Sequence, residues 1–467
     1  MANRLAADDA VVQHTPVNRE ITARSVRQRP NAVTAARRPA VASVIAAVAV
    51  AAAIATAIGS AATSSTATAQ IVAEKTFAEK RRAVLNAPAA DLRAIGPHLM
   101  AGYHALWQLK PLLQRGALGG VFITGHNARR KSFNRLKEEI ARIQDMALLT
   151  RITPLWISAD HEGGLVSKLA PPLRRPPSLR RLIRASSVAR FDGDRSAAVT
   201  AYAASKASAL HQLGVNINFA PVLDLRPAKR IRGDRRTLLR RRAISNDPLT
   251  VASVAADYCE ALLANGVLCT LKHFPGLARL SADTHMRGAR LSASKDTLAS
   301  TDWKPFRSVL QRTTAPVMVG HPIAIAIDRT KPASLSKSVI DGVLRSEWGH
   351  RGLVITDDLW MGAVRKRRGG MPKAAISALN AGADIVLICR DANELYPVFY
   401  ALLQAYQSGR LDRDMLTRSK ARLADAAQRL KRYKSATAPA AEAVRLPRMR
   451  PAPKAHQVRA PQPVLVR

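Results

Sequence analysis

The sequence predicts an α/β protein built as a closed (β/α)8 barrel of the TIM type. Between about Val84 and Tyr433, short apolar runs alternate with amphipathic helix-like segments, and eight such runs can be counted. Glycines (Gly214, Gly266, Gly382) stand between several helix patterns and the next run, where a helix is expected to end. Polar residues capable of chemistry follow the runs, and in such a barrel the C-terminal ends of all strands open on one face.

In chain order the expected strands are His98–Tyr103, Gly120–Ile123, Leu155–Ala159, Val215–Phe219, Val267–Leu271, Val317–Gly320, Leu353–Thr356 and Ile385–Cys389. Phe133–Met146, Ala197–Leu213, Val251–Ala264 and Lys373–Ala381 carry helical periodicity between them.

The ends of the chain have a different composition. Residues 1–38 are polar and basic. Pro39 to Ile58 then contains no charge and is mostly Ala, Val and Ile, about the length of one bilayer crossing. Ala67-Thr68-Ala69 resembles a signal-peptidase site, so residues 39–69 read either as a signal peptide or as an uncleaved anchor. The arginines before it are expected to stay in the cytoplasm, which places the barrel (residues 84–433) outside, exported to the periplasm or held at the membrane. Residues 435–467, rich in Ala, Pro and Arg, read as a disordered cationic tail.

The chain has 467 residues and a formal net charge of +40. That field favours anionic partners, such as an acidic cell-envelope polymer or an anionic lipid. No groove-reading helix or aromatic platform accompanies it, so no specific nucleic-acid partner is expected. Cys259, Cys269 and Cys389 show no CxxC spacing and are odd in number, so no disulfide framework and no zinc site are expected. Cys269 and Cys389 fall in apolar runs and read as buried, inert thiols.

The polar cluster after the fifth run organises the chemistry. Lys272 and His273 end that run, and Asp283 and His285 follow in its loop at i and i+2. A carboxylate against an imidazole fixes its tautomer and raises its basicity, which suits proton transfer. Asp160-His161-Glu162 follows the third run, Asp224 the fourth, His321 the sixth and Asp357-Asp358 the seventh. Adjacent residues at a strand end point different ways, so one of the two aspartates can face the barrel axis while the other caps the next helix. An ionised axial carboxylate among cations suits a nucleophile, as in retaining glycosidases, with the Asp283–His285 pair as proton donor. Asp160, Lys272, His273 and Arg242 would then bind hydroxyl and carbonyl groups. Neither His-x3-His nor clustered ligand spacing is present, so no metal and no organic cofactor are implied.

These residues resemble the N-terminal barrel of glycoside hydrolase family 3, in its single-domain β-N-acetylglucosaminidase branch. ADHEGG (Ala159–Gly164) resembles DQEGG, and LGVNINFAPVLDL (Leu213–Leu225) is similar to GxNxNFAPVxDV. RAISNDP (Arg242–Pro248) resembles RxFxxDP, and KHFPG with DTH (Lys272–His285) is similar to KHFPGHG with DSH at the same spacing. Pro332–Val364 resembles the stretch containing SDDLxM, and Ala378–Cys389 looks like the final strand unit. The likeness covers about residues 95–430.

The resemblance implies an exo-acting β-N-acetylglucosaminidase working on peptidoglycan fragments or a related amino-sugar glycan. It implies Asp357 as nucleophile, His285 held by Asp283 as acid/base, and Asp160, Arg242, Lys272 and His273 as sugar binders. Phosphorolysis is a related outcome for a histidine acid/base. The sequence departs from the family at Leu277-Ala278, where HG is usual, and at Arg279 and Leu280. Leu165 and Lys168 stand where the family has arginines, with Lys168 the candidate to recover the lost contact. An Arg- and Pro-rich segment, Pro171 to Arg184, is also unlike the family. These departures give the rival reading, a non-catalytic glycan-binding envelope protein on a degenerate barrel.

Overall fold

Eight parallel strands form a barrel among the residues that the computed structural model describes, which are 75–150, 154–188, 195–229 and 236–436. They are β1 (Leu99–Gly102), β2 (Gly120–Phe122), β3 (Trp156–Ala159), β4 (Ile217–Asn218), β5 (Leu271–Phe274), β6 (Val317–Val319), β7 (Val354–Thr356) and β8 (Val386–Ile388). One hydrogen-bonded run is β8-β1-β2-β3-β4 and a second is β7-β6-β5. Parallel bridges Ile217–Leu268 and Val222–Lys272 join the fourth and fifth units, and Ile355–Ile385 joins the seventh and eighth. The ring is therefore closed, as the alternation of apolar runs and helices predicts.

Helices cover the outside: α1 (Leu106–Gln114), α2 (Phe133–Leu148), α3 (Arg195–Gln212), α4 (Pro248–Ala264), α5 (Lys304–Arg312), a π-type helix (Ser338–Glu347), α6 (Gly370–Asn380) and α7 (Leu395–Gln407). The start of α4 explains part of one motif. Asp247 caps it by accepting from the Thr250 N–H at 2.8 Å, and Pro248 takes the first helical position, where no N–H is needed.

Side-chain alternation sorts two cores. Leu99 and Ala101 of β1 face the helices, while Met100 between them joins Phe122, Trp156, Phe219, Met318 and Ile355 in the barrel interior. The last helix, α8 (Arg413–Ala436), adds Leu423, Ala426, Ala427 and Leu430 to that interior cluster. Full burial of one such leucine stabilises by about 1.5–3 kcal/mol. Asp384, just before β8, anchors α8. It is fully buried and accepts from Ser419 Oγ at 2.7 Å, Arg422 Nε at 2.8 Å, Arg345 Nη2 at 2.6 Å and the Val354 N–H at 2.7 Å. Helix α8 thus closes the end where the strands begin and leaves the opposite end open.

Two expectations are corrected. The fifth strand runs Leu271–Phe274 rather than Val267–Leu271. Its polar residues can pair as a strand because buried carboxylates receive them, as described below. Cys259 and Cys269 form a disulfide with Cα atoms 5.2 Å apart. Cys259 lies in the last two turns of α4, and the chain reverses at Gly266, so the two thiols are returned to one another despite the absence of a recognisable motif. Cys389 is free.

Residues 1–38, the apolar stretch 39–69 and the chain beyond Ala436 lie outside the described residues. Helix α8 extends to Ala436, just into the stretch read as tail. Among the described residues no helix is long and apolar enough to cross a membrane.

Candidate active site

The open end of the barrel gathers the polar residues that follow β3, β4, β5, β6 and β7. Lys272, on β5, is buried and reaches Asp160 Oδ1 at 2.6 Å and Glu162 Oε1 at 2.7 Å. Burial works against its ammonium, but Asp160 and Glu162 hold its pKa above the usual lysine value. Glu162 also takes a two-pronged contact from Arg242, through Nε at 2.9 Å and through Nη2, while Arg242 Nη1 donates to the Thr237 carbonyl at 2.9 Å. Burial opposes ionisation of Glu162, yet Arg242 and Lys272 hold it well below the carboxylate range. Such a desolvated network keeps its charge only because every member is paired. Asp160 is the member a ligand can reach: its side chain is 25% exposed and Oδ2 has no partner among the described residues.

His273 is oriented by Asp224. The Asp224 carboxylate accepts from His273 Nδ1 at 2.7 Å and from the His273 N–H at 3.1 Å, and its other oxygen accepts from the Leu277 N–H at 2.7 Å. With Nδ1 committed, Nε2 is the nitrogen left for a hydroxyl. The peptide bonds Lys272–His273 and Phe274–Pro275 are cis.

Asp283 and His285 form the expected pair. His285 Nδ1 lies 2.9 Å from Asp283 Oδ1, and the same oxygen accepts from the His285 N–H at 2.9 Å and from Thr237 Oγ1 at 2.9 Å. The Arg236 N–H reaches Oδ2 at 3.1 Å. Burial would raise the Asp283 carboxyl, but the donors of His285 and Thr237 bring it below its usual value. The carboxylate is buried, whereas the imidazole is 32% exposed and turns Nε2 away from its partner.

Asp357 stands at the end of β7, its N–H donating to the Val319 carbonyl at 2.9 Å. Burial would raise its carboxyl. His273, His321 and His285, all within electrostatic reach, and the Asp358 N–H at 2.9 Å hold it below the usual range. Asp358 behaves oppositely. Burial, together with Asp357 and Asp160, pushes it up to about 7, although Oδ1 accepts from the N–H groups of Cys389 and Trp360 at 3.0 Å each. Adjacent carboxylates therefore have separated ionisations, and Asp357 is the one kept charged. His321 Nε2 donates to the Asp358 carbonyl at 3.0 Å, and Ser334 Oγ lies 2.7 Å from Nδ1.

The arrangement is an ionised carboxylate on one strand and a carboxylate-backed imidazole on a neighbouring loop, with paired cations around them. Residues 97–426 match the family described as "Glycosyl hydrolase family 3 N terminal domain".

The chain belongs to glycosyl hydrolase family 3.

It is a glycoside hydrolase, and its relatives fall in the branch that the motifs resemble. A β-hexosaminidase of Idiomarina loihiensis is 30% identical over 337 residues, 72% of this chain and 96% of that protein. The β-hexosaminidase LpqI of Mycobacterium tuberculosis is 34% identical over 279 residues, 58% of this chain and 67% of its own length. Among solved structures, a family 3 β-N-acetylglucosaminidase from Paenibacillus sp. superposes with a TM-score of 0.66 at 29% identity, over 74% of this chain and 63% of that longer one. The M. tuberculosis LpqI structure gives 0.63 at 30% identity, over 74% and 95%.

Within this family 3 barrel, Asp357, His285, Asp283, Asp160, Arg242, Lys272 and His273 all come to the open end. Lys168 reaches it by its backbone, since its N–H donates to the Asp160 carbonyl at 2.9 Å. Its side chain is exposed on the short hairpin of His161–Gly163 and Val166–Ser167 and has no partner among the described residues. Leu165 is exposed there too. Glu162, Asp224 and Thr237 are the positioning residues that sequence reasoning did not select. Glu162 and Asp224 were visible as carboxylates after strands; Thr237 had no signal. Behind Glu162, Lys206 of α3 donates to its carbonyl at 2.8 Å, and burial lowers that ammonium to about 7. The altered loop is well anchored: Leu277 and Leu280 are buried, and Arg279 Nε meets Asp302 at 2.6 Å.

Proposed function

We propose that this glycoside hydrolase is a retaining, exo-acting β-N-acetylglucosaminidase that removes terminal N-acetylglucosamine from peptidoglycan fragments or related amino-sugar glycans. The observation that carries the reading is the ionised Asp357 beside the Asp283–His285 pair. Asp357 attacks the anomeric carbon as His285 Nε2–H protonates the departing glycosidic oxygen, giving a glycosyl–Asp357 ester and the free aglycone. A water then adds to the same carbon from the vacated side. Neutral His285 takes the water's proton, Asp357 leaves as carboxylate, and the sugar is released with its configuration retained. Asp283 steadies the imidazole each time it carries charge. Asp160 and His273 bind sugar hydroxyls, while Lys272 and Arg242 keep Glu162 ionised and Lys272 holds Asp160 in place.

The names of the relatives support the amino-sugar substrate. Export is part of the proposal, supported by the leader composition and by the Cys259–Cys269 pair, because disulfides persist in oxidising compartments. The high positive charge would then hold the enzyme against an anionic envelope polymer or lipid. A purely binding protein has no use for a carboxylate-backed imidazole beside an ionised aspartate, which weighs against the rival reading.

The test is hydrolysis of a chromogenic β-N-acetylglucosaminide and of muropeptide fragments by the full chain and by Asp357→Ala. Proton NMR of the first-formed sugar reads the stereochemistry. Activity lost with the substitution and a β-anomer appearing first are expected. An α-anomer first would overturn retention, and an inactive folded wild-type protein would overturn the enzymatic reading.

A further inference from the structure

A second concavity lies between the loop that follows β6 and the segment after β7 that runs into the first two turns of α6. Its volume is about 540 Å³, within the range of small-ligand sites. Lys331, Arg367, Arg368 and Lys373 line it, and no carboxylate does. The sequence makes this one-sided: Gly362–Ser377 contains five cations and no acid. On the facing loop the one acid is Asp328. Its oxygens are occupied locally by the N–H groups of Thr330 at 2.9 Å and Lys331 at 3.0 Å and by the Ser336 hydroxyl at 2.7 Å.

None of the four lining cations makes an ion pair among the described residues. Arg367 makes one neutral contact, donating through Nη2 to the Thr330 carbonyl at 3.0 Å. Four like charges around one hollow repel each other until an anion enters. Two guanidinium forks and two ammonium groups match the oxygens of a phosphoryl group, which accepts bidentate contacts from arginine and point-charge contacts from lysine. Leu335 and Val364 supply an apolar floor. The wall is tied to the catalytic loop, since Gly362 and Ala363 donate to the carbonyls of His285 and Thr284 at 2.9 and 3.1 Å.

We infer that this hollow is a binding site for a multiply charged phosphoryl group, either free or carried on a phosphate-repeat polymer. A bound polymer would be held against the wall tied to the catalytic loop. The inference stands apart from the hydrolytic reading, because it is read by binding alone.

Calorimetric titration of the full chain with inorganic pyrophosphate and with long-chain polyphosphate tests it. The pocket variant is Arg367→Ser/Lys373→Ser. The control is Arg135→Ser/Lys137→Ser, which removes equal charge from the exposed face of α2. Wild type and control are expected to bind alike and the pocket variant at least about tenfold more weakly, as loss of charge-assisted hydrogen bonds dictates. Pocket-dependent binding of pyrophosphate identifies a free-phosphate site, and pocket dependence with polyphosphate alone identifies a polymer site. Equal affinity of all three proteins for both probes, or no binding of either, overturns the inference. Lys331→Ser/Arg368→Ser repeats the test should the first variant fold poorly.

Discussion

The backbone N–H of Gly362 donates to the carbonyl of His285 at 2.9 Å. This bond couples the turn after β7, which carries Asp357, to the loop that carries the imidazole. Position 362 has no room for a side chain: a Cβ there would lie 2.3 Å from the Met286 carbonyl oxygen and 3.0 Å from that of His285. Both obstacles are backbone, so the loop has to move.

Gly362→Ala is therefore expected to displace His285 while leaving the barrel closed. A misplacement near 1 Å costs about 10²-fold in rate. Steady-state kinetics should show kcat falling by that order with a melting temperature changed by only a few degrees. An unchanged kcat would mean that the imidazole's position is set by Asp283 and Thr237 alone.

Asp357→Ala should lower turnover by at least about 10³-fold, because the covalent step loses its nucleophile. Added azide can occupy the space of the missing carboxylate and attack from the same side. The expected product is an α-glycosyl azide, detected by NMR or mass spectrometry. Strong residual hydrolysis without azide would move the nucleophile elsewhere.

Asp358 should impose a pH dependence on stability. Its carboxyl is pushed up to about 7 in the folded state, against about 4 when unfolded. The native state then binds more protons than the unfolded chain between those values, so this contribution is complete below about pH 4 and is lost as pH rises to about 7. Asp358→Asn keeps an oxygen for the Cys389 and Trp360 N–H groups and cannot ionise. Urea midpoints should show the variant gaining on wild type between pH 4.5 and 8. A constant difference across that range would sink the assignment.

Much of the fold was legible because alternation and helical periodicity are local. Met100 between Leu99 and Ala101 declares two faces of a strand, and the glycines mark the helix ends. The site was legible in its ionisable residues, because a barrel brings strand ends together whatever their separation in sequence. Its supports were not. Thr237 reaches Asp283 across 46 residues, and no pattern announces an ordinary threonine in a loop. Strand β5 was read too early because Lys272 and His273 interrupt the apolar run; only the buried carboxylates of Glu162 and Asp224 make those polar side chains tolerable inside it. The disulfide was unreadable for a similar reason. A ten-residue separation becomes a pairing only after α4 ends and the chain turns back at Gly266.

That disulfide gives a test that separates stability from catalysis. Cys259 and Cys269 lie with Arg422, Asp425 and Ala426 of α8 around a small crevice where the strands begin, at the end opposite Asp357. Closing a loop of this size is worth about 2–3 kcal/mol in a chain-entropy account. Cys259→Ser should lower the urea midpoint accordingly and leave kcat unchanged at temperatures where the protein stays folded. Reductant should shift wild type by the same amount and the variant not at all. A wild-type midpoint indifferent to reductant would show that the two thiols are unpaired in the isolated protein and would remove one support for export. A kcat that fell with the midpoint would show that the base of the barrel transmits strain to the site, which the separation of α8 from Asp357 argues against.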